Sequence, residues 1–240
     1  ITVRAMFTDA VRDGIAAHNP FTQLGLRASR GRKDLVALTE AELVELADKA
    51  LEVHGDYGTT MRAIVLFAGY VGIRPGELFG LQWDDLDLRT GEARIARAIV
   101  NGRETTPKNG KARTVIVPPP ALEALRRMPR RVDTEHVFTS VTGRRLSKGS
   151  LLWAWKEVRA AAGRNGMDFY ELRHCCATLL LERGVSHADV AIQLGHTDGG
   201  ALVMSTYGHP SEELARERLK RAFGENVAPI RAVRGRAESA

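Results

Sequence analysis

Tyr170, Arg173 and His174 stand at positions i, i+3 and i+4, so a helix running through them carries a phenol, a guanidinium and an imidazole on one face of its first turns. Such a face suits a phosphate. The helix N-terminus adds backbone N–H donors and partial positive charge, and a guanidinium can grip two phosphate oxygens at once. Taken alone, the triplet is a weak signal, and an arginine near a helix start that only pairs with a carboxylate is the favoured reading of it. Cys175 and Cys176 are the only cysteines, they are adjacent, and neither they nor any other residues complete a metal-ligand spacing or a P-loop. The sequence therefore predicts no metal and no cofactor.

The helix carrying the triplet can be capped by Asp168, with Glu171 at its third position, and Gly184 stops it. Upstream, Thr39 offers an N-cap with Glu42 three residues on, followed by Leu43, Leu46, Ala47, Ala50 and Leu51 at helical spacing. A second apolar helix is expected from Thr59 to Val71. After Gly72 the pair Arg74-Pro75 breaks it, and Pro75 suits the first turn of a new helix through Leu81, which leaves Arg74 at a helix junction. From Asp85 to Pro118 the pattern changes to short strands at Glu92–Ile99, Glu104–Pro107 and Thr114–Val117. Turn signals at Thr90-Gly91, Asn101-Gly102 and Asn109-Gly110 make these a small antiparallel sheet. Pro118-Pro119-Pro120 opens a helix that ends before Pro129, Ser150–Ala162 forms another, and Ser186–Leu194 follows Gly184. After Gly199-Gly200 a short segment carries Tyr207, and Ser211–Phe223 is amphipathic with Leu214 and Leu219 on one side. The fold class is α+β and mainly helical.

At 240 residues the chain can bury one sizeable core plus an appendage. Residues 1–33 read as a linker and remnant, with a short helical piece around Asp9 to His18 and a Gly/Arg/Ser-rich stretch from Leu24 to Lys33. Residues 34–226 form the main domain, and residues 227–240 a flexible tail. Lys and Arg total 35 against 29 Asp and Glu, a net charge of +6, which suits a polyanionic partner but is shared by many ordinary proteins. The apolar stretches are too short to span a bilayer, residue 1 opens neither a signal nor a transit peptide, and the adjacent cysteines fit a reducing compartment. A cytoplasmic location without membrane association is expected.

Read in order, Arg74, Lys108, Arg173, His196 and Tyr207 give the sequence a resemblance to the catalytic domain of tyrosine recombinases, the phage integrase family. Gly72-Ile73-Arg74-Pro75-Gly76-Glu77-Leu78 resembles that family's first arginine box, and Tyr170-Glu171-Leu172-Arg173-His174 its second. Leu194-Gly195-His196 is similar to the third motif and Tyr207-Gly208-His209-Pro210 to the stretch around the nucleophile. Pro107-Lys108-Asn109-Gly110-Lys111-Ala112-Arg113-Thr114-Val115 falls on the β-hairpin where the family places its catalytic lysine. Each motif is common alone; the ordered set, spanning residues 34–226, is specific.

The resemblance implies a site-specific recombinase that cleaves and rejoins DNA through a 3′-phosphotyrosine, with Tyr207 as nucleophile, Arg74 and Arg173 as phosphate clamps, Lys108 as general acid and His196 as a hydrogen-bond donor to the scissile phosphate. The chemistry needs those types. A phenol with pKa near 10 is ionised only about one time in a thousand at pH 7 and must be activated. The pentavalent transition state gathers charge on the non-bridging oxygens, which permanently charged arginines stabilise, and the departing 5′ oxygen needs a proton. The covalent intermediate conserves the bond energy, so resealing needs no ATP. Glu77 is expected to orient Arg74 or simply to form a surface pair with it, Lys111 is the local alternative to Lys108, and His196 also fits a plain helix C-cap.

Two departures from the family pattern stand out. Tyr170 occupies the position usually held by histidine; it can donate a hydrogen bond to phosphate but is a poor base near neutrality, and His174 or His209 can compensate. The interval from His196 to Tyr207 is also slightly long, with Asp198-Gly199-Gly200 as the loop that absorbs the difference. The implied partners are double-stranded DNA bearing a specific recombination site, further copies of the chain in a homotetramer, and an accessory DNA-bending or directionality factor. Residues 1–33 are too short for the DNA-clamping N-terminal domain of the family, so the chain reads as part of a longer protein. The competing readings are a non-catalytic helix-turn-helix regulator built on Leu172–Leu194, which leaves Arg74, Lys108 and Tyr207 unexplained, and a type IB topoisomerase-like enzyme.

Overall fold

The fold is that of a computed structural model, which describes residues 3–22, 38–107 and 110–207 together with residues 216 and 220. The chain divides into two compact units, Ile1–Val36 and Ala37–Ala240. In the first, helix α1 spans Val3–Arg12 rather than the expected Asp9 to His18. It stops because Gly14 turns left-handed at φ +74°, after which Asn19 reaches back to donate to the Arg4 carbonyl at 3.0 Å and to Thr8 Oγ1 at 2.9 Å.

The second unit is built on α2 (Glu40–Val53) and α3 (Gly58–Val71). The predicted capping box opens α2: the Glu42 amide donates to Thr39 Oγ1 at 3.3 Å and the Thr39 amide to the Glu42 carboxylate at 2.9 Å. Helix α3 is buried almost all round, as expected of a central core helix, and packs against α2, α5 (Pro119–Arg127) and α7 (Glu171–Glu182). A Cβ at Gly58 would come within 2.6 Å of the Ala50 carbonyl oxygen, so this glycine sets how closely α2 and α3 approach. Helix α4 (Pro75–Gly80) follows a sharp turn at Gly72, and α6 (Lys148–Ala161) is capped by Ser147. Trp155 of α6 is fully buried, donating its indole N–H to the Met167 carbonyl at 3.1 Å.

The expected single sheet is in fact two. Strands β1 (Leu86–Asp87), β2 (Glu92–Ile95) and β5 (Arg113–Ile116) form an antiparallel sheet in the order β1-β2-β5, while β3 (Ala98–Val100) and β4 (Arg103–Thr105) form a separate hairpin. The predicted strand Glu92–Ile99 is interrupted at Ala96-Arg97, where Arg97 is drawn out of the ladder to donate to Asp85 at 2.6 Å and, more weakly, to the Gly80 carbonyl at 3.4 Å. Its continuation β3 packs on α4. Asn101 and Gly102 both have positive φ, 51° and 78°, the conformation that a two-residue hairpin turn demands. The second strand ends at Thr105 and not at Pro107, which has no N–H for the ladder.

The last elements are α8 (His187–Leu194), capped by Ser186, and α9 (Ala201–Tyr207). They make a small core of their own with α7, formed by Cys176, Ala177, Val190, Ala191, Leu194 and Val203. Among the described side chains of α9, Val203 is buried in it. The proposed linker Leu24–Lys33 and tail 227–240 lie outside the described residues, as does all of Ser211–Phe223 except residues 216 and 220, which are helical. Among the described residues no helix is long and apolar enough to cross a membrane.

Candidate functional site

The C-terminal end of α8 leaves carbonyls without intrahelical partners and carries the negative end of the helix dipole. Arginines from three other elements converge on it. Arg173, on the first turn of α7, donates from Nη2 to the Leu194 carbonyl at 2.7 Å and from Nη1 to the Gly72 carbonyl, at the end of α3, at 2.5 Å. Arg74, which precedes α4, donates from Nη2 to the Gly195 carbonyl at 3.1 Å. Arg113, at the start of β5, makes a longer contact from Nε to the Gln193 carbonyl at 3.4 Å. Arginines that lie 21, 80 and 121 positions from their carbonyl partners thus meet at one helix end.

Two glycines allow this convergence. Gly72 and Gly195 end α3 and α8 in the left-handed conformation, at φ +71° and +70°. A Cβ at Gly72 would sit 2.4 Å from Leu194 and 2.9 Å from Cys176 Sγ, and one at Gly195 would sit 2.7 Å from the Arg113 guanidinium. Both positions need glycine for backbone conformation and for space.

Glu77 holds the cluster together. It is the third residue of α4, and although a carboxylate it is only 2% exposed. Its Oε1 accepts from Arg74 Nη1 and Arg113 Nη1, both at 3.0 Å; its Oε2 accepts from the Arg74 backbone N–H at 3.0 Å and from Arg113 Nη2 at 2.9 Å. Burial pushes this carboxyl upward, but the bonds and charge of Arg113 and the Arg74 amide outweigh it and hold it below the ordinary range. Glu77 is therefore not a solvated surface pair: it is a buried acceptor, and among the described residues its hydrogen bonds come from Arg74 and Arg113.

Arg173 is 3% exposed. Burial, and next the charge of Arg74, pull its guanidinium down to about 10, which leaves it charged at neutral pH. It also lies 2.9 Å, through Nη2, from His196 Nε2. A guanidinium has no acceptor, so His196 Nε2 must accept, which places the proton of the neutral ring on Nδ1. Burial first, and then Arg173 and Arg74, depress the His196 pKa, which agrees with a neutral ring. Among the described residues Nδ1 is buried with no hydrogen-bond partner, so the ring carries an N–H that no described group accepts. His196 also has the plain helix-ending role, its amide donating to the Ala191 carbonyl at 2.8 Å.

Of the residues singled out from sequence, Arg74, Glu77, Arg173 and His196 come together. Tyr170 and His174 stand beside each other at the start of α7, their rings edge to face at 5.6 Å, with Tyr170 41% exposed and the His174 pKa lowered by burial and by Arg173. Lys108 lies outside the described residues, and its local alternative Lys111 is exposed. Tyr207 is the last residue of α9, and its side chain is outside the described part of the structure. Arg113, which lies in the hairpin run but was given no role from sequence, carried a signal: along β5 it shares the inward face with Val115, which is 1% exposed, and an arginine pointing into a core needs a buried partner.

The cluster offers two fixed guanidinium groups and one imidazole N–H, an arrangement suited to a phosphodiester. The family model described as the phage integrase family matches residues 37–213. A protein named Tyrosine recombinase XerC-like, from Caldanaerobacter subterraneus subsp. tengcongensis, is 28% identical over 232 residues, covering 82% of this chain and 57% of that protein. Tyrosine recombinase XerC of Mycobacterium bovis is 32% identical over 218 residues, covering 85% of this chain and 69% of the relative. The Tn1549 transposon integrase, solved in complex with transposon right end DNA, shares the fold with a TM-score of 0.67 at 20% identity, over 92% of this chain and 76% of that one. The chain thus spans little more than half the length of the first of these relatives.

Proposed function

This chain is a member of the phage integrase family, and on that footing we propose that it carries the strand-cleaving and strand-joining centre of a site-specific DNA recombinase. The reading rests above all on one observation: Arg74, Arg173 and His196, from separate elements, converge at the C-terminal end of α8, and the one carboxylate that pairs with Arg74 among the described residues, Glu77, already accepts four hydrogen bonds. Donors fixed before the reaction need no reorganisation when charge develops on the non-bridging oxygens, and losing one typically costs on the order of 10²–10³ in rate.

In the proposed reaction Tyr207 Oη attacks the scissile phosphorus and the P–O5′ bond breaks, giving a 3′-phosphotyrosine and a free 5′ end. The phenol proton passes to a nearby base, for which His174, held neutral by burial, is our assignment. The 5′ oxygen takes its proton from Lys108. Tyr170 adds a hydrogen bond to phosphate in place of the histidine usual at that position. Attack by the 5′ hydroxyl of a second strand reverses the step and releases Tyr207. We assign the catalytic region to residues 34–226, with residues 1–33 as linker and 227–240 as tail, and expect a homotetramer on double-stranded DNA in the cytoplasm, assisted by an accessory bending or directionality factor.

Covalent trapping tests this. The chain and its Tyr207→Phe variant are incubated with nicked suicide duplexes from a library of candidate sites, and SDS-stable, protease-sensitive adducts are collected. An adduct with the parent alone is the expected result. Adducts with both chains would remove Tyr207 as nucleophile, and none with the parent on any duplex would count against catalysis.

A further inference from the structure

Arg113 is the member of the cluster for which the chemistry above has no use, yet it makes the most regular ion pair in it. Its two Nη groups meet the two Glu77 oxygens at 3.0 and 2.9 Å, a parallel fork, which is the strongest geometry open to a guanidinium and a carboxylate. It is held in place from two sides. Its strand is tied to α8 by Gln193, whose Oε1 accepts from the Ile116 amide at 3.0 Å and whose Nε2 donates to the Ile116 carbonyl at 2.9 Å, so that one side chain pairs with the free edge of β5 as a neighbouring strand would. On the other side its guanidinium fills the space left by the missing Cβ of Gly195.

The consequence falls on Arg74. An arginine and a glutamate left to themselves tend to close into that same fork, which would commit both Nη groups of Arg74 and cancel its charge. With Arg113 occupying the fork, Glu77 has only one position on Oε1 for Arg74 Nη1, and the other Nη of Arg74 is turned to the Gly195 carbonyl. Arg74 is then fixed by two single bonds and keeps N–H groups that the described residues do not use. The group of Arg74, Glu77 and Arg113 also retains net positive charge where a simple pair would be neutral.

We propose that Arg113 is a positioning residue for strand cleavage: by occupying Glu77 it keeps Arg74 open, so that Arg74 presents its free N–H edge and its charge to the scissile phosphate. The inference rests on the recombinase reading, and its test separates the two. On a duplex that the parent cleaves, single-turnover adduct formation is measured with the scissile position either an ordinary phosphate or a methylphosphonate, in which a neutral methyl replaces one anionic oxygen. Arg113→Met and Arg74→Ala should each lose on the order of 10²-fold on the phosphate. Both should lose much less on the methylphosphonate, where there is little charge for Arg74 to neutralise, and Arg113→Lys should recover part of the phosphate rate. DNA affinity should stay within about threefold of the parent, since phosphate contacts elsewhere dominate it. Cleavage by Arg113→Met at the parental rate would overturn the proposal, as would an equal loss on both substrates, the mark of general structural damage. A crystal structure of Arg113→Met decides the point independently of activity: Arg74 should swing to place both Nη groups on Glu77, and an Arg74 that keeps its single bond to Oε1 would refute the inference. A parent that forms no adduct would instead bring down the recombinase reading itself.

Discussion

Replacing Glu77 with glutamine tests how far the cationic cluster depends on one buried carboxylate. The side chain is 1% exposed, and its two arginine partners are 18% and 14% exposed, so the group it neutralises has little access to solvent. Removing one partner of a buried ion pair typically costs about 3–5 kcal/mol, because the remaining charge is left uncompensated. Glutamine keeps one carbonyl oxygen for the bonds on one side but turns an NH2 group toward donors on the other. The partial exposure of Arg74 and Arg113 lets water recover some of the loss, which puts the expectation at the lower end, about 3 kcal/mol. At about 2–4 °C per kcal/mol for a domain of this size, Tm should fall by about 6–12 °C in calorimetry at pH 7 and physiological salt. The pH dependence has a definite sign. Glu77 has a depressed pKa in the folded chain, so its stabilisation is fully present above its ordinary value of 4.5 and is lost as pH falls through the lower folded value. The Tm gap between parent and Glu77→Gln should therefore be constant above about pH 5 and narrow below it. A drop under about 3 °C at pH 7, or a gap that widens on acidification, would refute the account of Glu77 as the hub of the cluster.

His196 should titrate below its ordinary 6.5, with its neutral form protonated on Nδ1; nitrogen NMR reads both, and an Nε2–H tautomer would contradict the bond from Arg173. The stability this histidine contributes is present above 6.5 and declines as pH falls through the folded value, and adduct formation should decline over the same range. Val203→Ala removes the buried anchor of α9 and should cost about 2 kcal/mol. Hydrogen exchange should speed up across Ala201–Tyr207 while α2 and α3 keep their protection, and a uniform loss of protection would show that α9 is not a separately seated element.

Much of the fold was legible because its signals are local. The capping box at Thr39 and Glu42, the stop at Gly72, Pro75 in the first turn of α4 and the Asn101-Gly102 turn each depend on residues within a few positions of one another, and each is present. The break between β2 and β3 left only a faint trace, a slip of the alternation at Ile95-Ala96 that puts Arg97 on the face of Ala93 and Ile95, and the strand was read straight through it. What ends the strand is the pull of Asp85 and Gly80 on Arg97, and those partners are recognisable only once the chain has folded back.

The candidate site divides in the same way. Residue type and order alone determined the family resemblance, the two arginine boxes and the placing of Arg74 at a helix junction, because motif spacing on a helix dictates which side chains share a face. Only the tertiary structure decided that Glu77 is buried rather than solvated, that the His196 proton sits on Nδ1, and that Arg113 belongs to the cluster at all. Those properties are set by burial and by which charges are neighbours across α3, α4, α7, α8 and β5. Desolvation and Coulomb interaction depend on distance in space, and sequence separation carries no information about them.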